Sequence, residues 1–382
     1  MDALLTKCRS KIVTKRSASE IKTDKRYWQD FTNLQHIKHD MLRRYLGGWF
    51  PILSTWNGRI VYFETHAGRG KHDAGHEGSP IVALRTLLEH KLRNRILSNS
   101  KANFIFLEKF ADSANDLQVE ISNLGQLPAS VSTSIVTDDY QQQLSEICDA
   151  LDAGELRLAP VFMFVDPYSF LLPVEQLSRI LQESKCELFI NFMWRYLNLA
   201  IANETQIKNM NEMFGKGNWE DLADVSKNDE RCDVALQRLK ERLGAEHVWA
   251  IKMYGAKNEL KYVLAHFCNH ERAYRLMKDV VWSLAPHGEF RFWQSDDPMQ
   301  SILIQTEPNL LPLSRMIWTK FKSQTVRVHD VYALVDPSVF KRTHYHKQLK
   351  SWISDGHCDL VDDEKKLVLK DNPRIRFVTP PQ

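Results

Sequence analysis

Cysteine is sparse and scattered in this sequence, and that alone removes several functions. The six cysteines, Cys8, Cys148, Cys186, Cys232, Cys268 and Cys358, include no CxxC pair. A zinc finger and a disulfide framework are both excluded, and a reducing, cytoplasmic protein with buried or incidental thiols is expected. No apolar run approaches the roughly 20 residues of a membrane span. The opening MDALLTKCRSKIVTKR lacks the apolar core of a secretory signal. The full GxGxxG of dinucleotide sites is missing. So is a Walker A loop, because Gly70-Lys71 is followed by His72 and the earlier glycine position holds Thr65. No Ser/His/Asp or Cys/His nucleophile set can be picked out, and no repeat or low-complexity tract is visible. The charge of one sign is also lacking: a formal net charge of +3 announces no nucleic-acid binder, so such a case has to rest on local patches.

What remains is an ordinary globular composition, 43% hydrophobic and 26% charged, in a chain long enough for two domains. Residues 1–30 are polar and rich in Lys and Arg, which predicts a basic N-terminal arm. In HIKHDMLRRYLGGWFPIL, Ile37, Met41, Tyr45 and Trp49 recur at helical spacing. Apolar strands then alternate with helical segments: VYFET, a helix opening at SPIVALRTLLEH with Ser79 as N-cap, NFIFLE, SIVTDD and VFMFVDPY, each with a helix after it. CELFINFMW and KYVLAHF read as further strands. Continuous apolar strands separated by helices predict a doubly wound, mostly parallel α/β sheet over residues 31–295. After a boundary at 290–310, LLPLSRMIWTKF, VHDVYALV and SVFKRTHYHKQLKSWISDG predict three helices. CDLV and KLVLK, joined by DDEK, predict a hairpin, and together these give a winged-helix-like domain over 305–382.

Ligands of open α/β sheets bind beyond the carboxyl ends of the strands. Four strand ends here carry acids: Glu64, Glu108, Asp138 with Asp139, and Asp166. The first is followed by AGRG, whose Gly68 and Gly70 would let the backbone approach a ligand without Cβ interference. Glu108 suits two ribose hydroxyls, and Asp138 or Asp139 an adenine amino group. In order and spacing the chain resembles S-adenosylmethionine-dependent methyltransferases of the class I type. A plain glycine turn without a ligand is the competing reading.

A closer resemblance rests on KHDMLRRYLGGWFPIL, YFETHAGRG, GSPIVAL, FIFLE, FVDPYSF, ELFINF and RLMKDVVW. Together these resemble the three-Cys-motif partner family, TcmP, over about residues 36–285. The resemblance implies a methyltransferase-like fold and a partner protein bearing three cysteines. Glu64 stands where the family favours Asp, and Ser169 follows VDPY where glycine is commoner.

The candidate reaction centre is VDPYS at 165–169. Methyltransferases of exocyclic base amines place a D/N-P-P-Y/F motif after the fourth strand, where the acid and a backbone carbonyl accept the amine protons and the ring stacks on the base. Asp166, Pro167 and Tyr168 keep that pattern with the second proline missing and with Tyr168 or Phe170 as the stacking ring, a form also similar to RNA guanine-N2 methyltransferases. A mere strand-end cap at Asp166 is the alternative. FINFMWRY would put Asn191 and Arg195 near the same rim, and core packing explains its aromatics equally well. His66, His72 and His76 crowd the glycine loop, and solvated side chains rather than a metal site are expected there. Lys341, Arg342, Lys347 and Lys350 form a basic helix for nucleic-acid phosphates, a solvated face or a protein-docking surface. The expected function is S-adenosylmethionine-dependent methylation of a base amine in DNA or RNA, with a three-cysteine partner. The rivals are a non-catalytic cofactor- or nucleic-acid-binding subunit serving an iron–sulfur enzyme, and a nuclease.

Overall fold

The computed structural model describes residues 17, 28–29, 31–55, 58–295, 307–361, 367–368 and 371–380. The basic arm expected at 1–30 lies outside them, apart from Ser17, Trp28 and Gln29. The chain divides into two units, Met1–Val280 with Phe290–Leu303, and Val281–Glu289 with Ile304–Gln382.

The first unit opens with helix α1 (Asn33–Ser54), entered through Thr32, whose backbone N–H donates to Gln35 Oε1 at 2.7 Å. Then follow β1 (Arg59–Glu64), α2 (Ser79–Leu88), α3 (Arg93–Asn99), β2 (Lys101–Leu107), α4 (Ala111–Ser122), β3 (Val131–Val136), α5 (Tyr140–Asp152) and β4 (Val161–Val165). The remainder comprises α6 (Val174–Leu181), β5 (Cys186–Phe192), α7 (Trp194–Ile201), α8 (Ile207–Phe214), α9 (Asn228–Leu243), β6 (His247–Tyr254), β7 (Leu260–Cys268), α10 (Glu271–Leu284) and β8 (Arg291–Trp293). The strands form one sheet in the order β3-β2-β1-β4-β5-β7-β6-β8. Only β7 runs against its neighbours, pairing antiparallel with β5 and β6. This is the doubly wound, mostly parallel α/β architecture expected from the sequence, of the Rossmann-like type.

Alternation along the strands gives the sheet two unlike faces. Val61, Phe63, Ile105, Leu107, Val161, Met163, Val165, Leu188 and Ile190 join one core with side chains of α5, α6 and α9. The other face is aromatic: Tyr62 pairs in register with Phe104 and Phe162, and Phe164 with Phe189. Helix α1 lies on that face, with Met41, Tyr45 and Trp49 wholly buried at the spacing read from the sequence. One acid, Glu187 of β5, sits in this apolar layer. The Tyr45 hydroxyl donates to its Oε2, Trp49 Nε1 to its Oε1 at 3.1 Å, and His266 Nε2 lies 3.0 Å away, so the carboxylate is satisfied rather than stranded.

The helix after β1 differs from expectation at its first residue. Gly78 is the N-cap, and Ser79 is already helical with Pro80 behind it. Ser79 does not cap, because its hydroxyl turns inward to Glu64.

The second unit holds α11 (Leu311–Phe321), β9 (Thr325–Arg327), α12 (Val328–Val335), α13 (Arg342–Ser354), β10 (Cys358–Leu360) and β11 (Arg374–Phe377). Its three strands are antiparallel in the order β10-β11-β9. Trp318 packs on Trp352 and Phe377 with ring centroids 5.6 and 5.1 Å apart. The strand paired with CDLV is therefore Arg374–Phe377. Of the expected KLVLK strand, Leu367 and Val368 are described and not in a strand, and the rest lies outside the described residues.

Asp139, read from the sequence as an adenine contact, is the N-cap of α5, its Oδ1 accepting from the backbone N–H of Gln141 at 2.9 Å and Gln142 at 3.4 Å. Asp139→Ala is expected to lower stability by about 1 kcal/mol, the usual value of such a cap. Urea denaturation checks this, and an unchanged midpoint would refute the capping role.

Candidate active site at the strand switch

The chain lays β2 and β3 on one side of β1, then returns to place β4 on the other. At such a switch the loops after β1 and β4 leave in opposite directions and open a crevice at the carboxyl edge. A cavity of about 580 Å³ lies there, lined by His66, Ala67 and Gly68 after β1, Asp166, Pro167 and Tyr168 after β4, Asn191 and Met193 after β5, and Gln35 and Lys38 of α1. Its size falls in the range of small-molecule sites. Arg195, Tyr196, Lys261 and Trp28 complete the part relevant to chemistry.

Asp166 is the most constrained group in it. Lys38 Nζ donates to Oδ2 at 2.6 Å and Asn191 Nδ2 to Oδ1 at 2.5 Å. Burial alone would raise its pKa, but the attraction of Lys38 and the hydrogen bonds from Lys38 and Asn191 outweigh it and hold the carboxyl below its ordinary value. Asp166 is thus an ionised acceptor with each oxygen engaged once and a second lone pair left on each. Next to it, His66 is pushed down to about 4, mainly by burial, so its imidazole is neutral near pH 7. Its Nδ1 lies 2.8 Å from Thr65 Oγ1. Pro167 is buried, whereas the Tyr168 ring is 52% exposed at the cavity mouth.

The glycine loop is held from behind. Gly68 has φ +64°, and its N–H donates to Glu108 Oε2 at 2.8 Å, while Glu108 Oε1 accepts from the Phe110 N–H at 2.9 Å. A Cβ on Gly68 would lie 2.5 Å from Trp28 Cζ2, so the indole rests directly on the glycine. The Arg69 guanidinium sits over the Trp28 ring, 4.9 Å from its centroid.

Five residues expected to touch a cofactor, Glu64, Gly70, Glu108, Asp138 and Asp139, are not on the cavity wall, and of the expected set only Gly68 lines it. Glu64 is wholly buried, with Tyr62 donating to Oε2 at 2.9 Å and Ser79 to Oε1 at 2.5 Å. It ends β1 on the aromatic face, where α2 covers it. Gly70, at φ +81°, packs against Leu117, and its carbonyl accepts from the Gly78 N–H at 2.7 Å. It closes the loop rather than facing a ligand. Asp138 is buried, accepting from Gln143 Nε2 at 2.7 Å and from the Asp139 N–H at 2.8 Å. Asp139 caps α5. Glu108 is also off the wall, one hydrogen bond behind Gly68.

The loop histidines are not uniformly solvated. His72 is buried against Trp28 and Phe31, with ring centroids 4.6 and 4.7 Å apart, and only His76 of the pair is exposed, stacked on Phe31 at 4.2 Å. Among the described residues no group of three or more His, Cys, Asp or Glu is placed to hold a metal ion. No described helix is long and apolar enough to cross a membrane.

Sequence reasoning missed Lys38 and Trp28. Lys38 had a signal: it lies on the apolar stripe of α1, between Leu34 and Met41–Leu42, where a lysine is out of place unless paired. Asn191 and Arg195 do line the cavity, as their motif suggested. In the second unit, Arg342 is committed elsewhere. It donates to Asp336 through Nε at 3.2 Å and through a terminal nitrogen at 2.6 Å, and it lies 5.1 Å from the Tyr332 ring centroid. Lys347 and Lys350 are exposed, with Lys347 Nζ 3.5 Å from Glu307, and Lys341 is half-buried at the helix start.

Burial raises the Glu64 pKa from 4.5 to about 8, against the opposing hydrogen bonds of Ser79 and Tyr62. The folded value lies above the unfolded one, so wild-type stability falls as pH rises from about 4.5 to about 8. Glu64→Gln cannot ionise, and should gain on the wild type by on the order of 1–3 kcal/mol between pH 5 and pH 9. Thermal melts at both pH values measure this; an identical difference at the two would mean that Glu64 stays charged.

No family model matches the chain, and no curated protein matches it. Among solved structures it is similar to Trm1 from Pyrococcus horikoshii in complex with S-adenosyl-L-methionine, at 11% identity and a TM-score of 0.35, covering 70% of this chain and 62% of that one. The chain thus spans less than two thirds of that protein's length, and a likeness this distant carries no functional weight.

Proposed function

We propose that the first unit is an S-adenosylmethionine-dependent methyltransferase acting on an exocyclic amine of a nucleic-acid base. The observation that carries the reading is the placement of an ionised, twice-bonded Asp166 and an exposed Tyr168 on the wall of a cavity that Gly68 also lines. The residues present fit the cofactor: a positive-φ glycine positioned by Glu108, the Trp28 indole beside it on the cavity lining, and a cavity of suitable size. Gly68 and Trp28 would hold it, with Glu108 positioning Gly68 from behind, and it would supply a methyl group on a cationic sulfur whose departure needs no acid.

What the chain must add is alignment of a weakly nucleophilic amine. A free lone pair on each Asp166 oxygen accepts an amine N–H and leaves the nitrogen lone pair directed away from the acceptor. Growing positive charge on nitrogen is favoured by the carboxylate, although the nearby Lys38 ammonium weakens that attraction. Orientation is therefore the larger contribution of Asp166. Tyr168 offers a face for the base, worth about 1–3 kcal/mol. The exposed Lys347 and Lys350 of the second unit, with Lys341, are read as phosphate contacts of a winged helix. A three-cysteine partner rests on the sequence resemblance alone.

A second reading draws on the same geometry. Both Asp166 oxygens are already engaged and Trp28 rests on Gly68, as suits a non-catalytic subunit that binds cofactor or nucleic acid without turnover.

Transfer of radiolabelled methyl from S-adenosylmethionine to mixed tRNA, rRNA and DNA tests the proposal. Asp166→Ala should cut turnover by about 100-fold or more with cofactor affinity little changed. Lys38→Met removes the attraction that opposes burial, so Asp166 should protonate more readily and the acidic limb of the pH–rate profile should move to higher pH. Full activity of Asp166→Ala would reduce that residue to a strand-end cap, and cofactor binding without transfer to any of these acids would favour the second reading.

A further inference from the structure

Helix α7 starts at the cavity wall and presents an unusual outer face. Its inner face, Trp194, Leu197, Ala200 and Ile201, is buried, as an amphipathic helix requires. Its outer face carries Tyr196 and Leu199, three residues apart, which are 48% and 64% exposed, beside Tyr168 at 52%. Two tyrosine rings and a leucine left in water next to a cavity form a patch of the sort that marks a binding surface.

The patch is continuous with the cavity. Tyr168 and Tyr196 line both the main cavity and a groove of about 310 Å³ that runs past Leu199 to Asn203 and Gln206. On the other flank, Arg195 joins the main cavity to a depression of about 570 Å³ lined by Asn198, Lys257 and Glu259. The charged side chains lining the main cavity and this depression are Lys38, Arg195, Lys257 and Lys261 against Asp166 and Glu259, and Lys38 is paired with Asp166.

We propose that α7 is a platform for a single-stranded or locally unpaired stretch of nucleic acid, which feeds its target base into the cavity. The inference rests on the methyltransferase reading of that cavity. Exposed aromatic rings interleaved with cations are what a sequence-tolerant single-strand site needs: the rings stack on base faces and the cations meet phosphates. A duplex hides its base faces, so Tyr168 and Tyr196 are useful only to bases that have left the stack. Tyr196 holds the base flanking the one at Tyr168, Arg195 and Lys257 meet the backbone, and the side-chain amides of Asn203 and Gln206 lie where a further base edge would pass.

The test uses the full chain and fluorescein-labelled mixed-sequence RNA and DNA single strands of about 12 nucleotides, within the usual site size. Tyr196→Ala should weaken binding of at least one of them by about 10-fold, Tyr196→Phe should retain it, and Arg195→Gln should lower the salt slope by about one. The same strand annealed to its complement should bind more weakly. Calorimetry of the wild type with S-adenosylmethionine separates the two ideas. Tyr196-dependent strand binding without cofactor binding overturns the methyltransferase reading and leaves the platform standing. Cofactor binding with no strand binding, or with strand affinity unchanged in Tyr196→Ala, overturns the platform, and the face is then a protein-docking surface.

Discussion

The ion pair between Lys38 and Asp166 is the interaction on which the cavity depends. It ties α1 to the end of β4 across the point where the strand order reverses, at 2.6 Å and with both side chains largely out of water. A buried pair of this kind adds little net stability, but removing one partner leaves a charge in a medium that cannot solvate it, typically at a cost of about 3–5 kcal/mol. The arrangement therefore fixes geometry more than it stabilises the fold. Stability along α1 comes instead from Tyr45, Trp49 and their neighbours against the aromatic face, with Glu187 as a fully satisfied polar anchor at the far end.

The two-residue period of the strands explains why these groups meet. Glu64, Phe164 and Phe189 stand side by side in register on the face that α1 and α2 cover. One more residue of alternation beyond β4 puts Asp166 on that face, and Asn191 follows Phe189 by two residues on β5. The same parity has opposite outcomes for two acids. Glu64 ends inside the layer, shut in by Ser79 and Tyr62, and turns largely protonated below pH 8. Asp166, one step past the sheet edge, finds Lys38 and stays ionised.

The sheet and its strand-end acids were legible in the sequence because continuous apolar runs separated by helices leave few other arrangements. The motif VDPYS was legible too, and Pro167 and Tyr168 stand beside Asp166 on the cavity wall. Which acids would face a ligand was not, since that depends on side-chain partners distant in sequence: Ser79 for Glu64, Gln143 for Asp138, the α5 backbone for Asp139. Lys38 lies 128 positions from Asp166, and only its misplacement on an apolar helical stripe hinted at a partner. The basic helix was read from charge alone, and Asp336, just upstream, accounts for one of its four cations.

The central claim is that the cavity at the β1/β4 switch takes S-adenosylmethionine against Gly68, whose backbone Glu108 holds in place. Isothermal titration of the full chain with S-adenosylmethionine and with its demethylated product tests it most directly. The account predicts saturable binding of both at one site per chain, weakened by about 1–3 kcal/mol in Glu108→Ala, the scale of a lost charge-assisted hydrogen bond. No heat of binding for either ligand, or binding that Glu108→Ala leaves untouched, would contradict it.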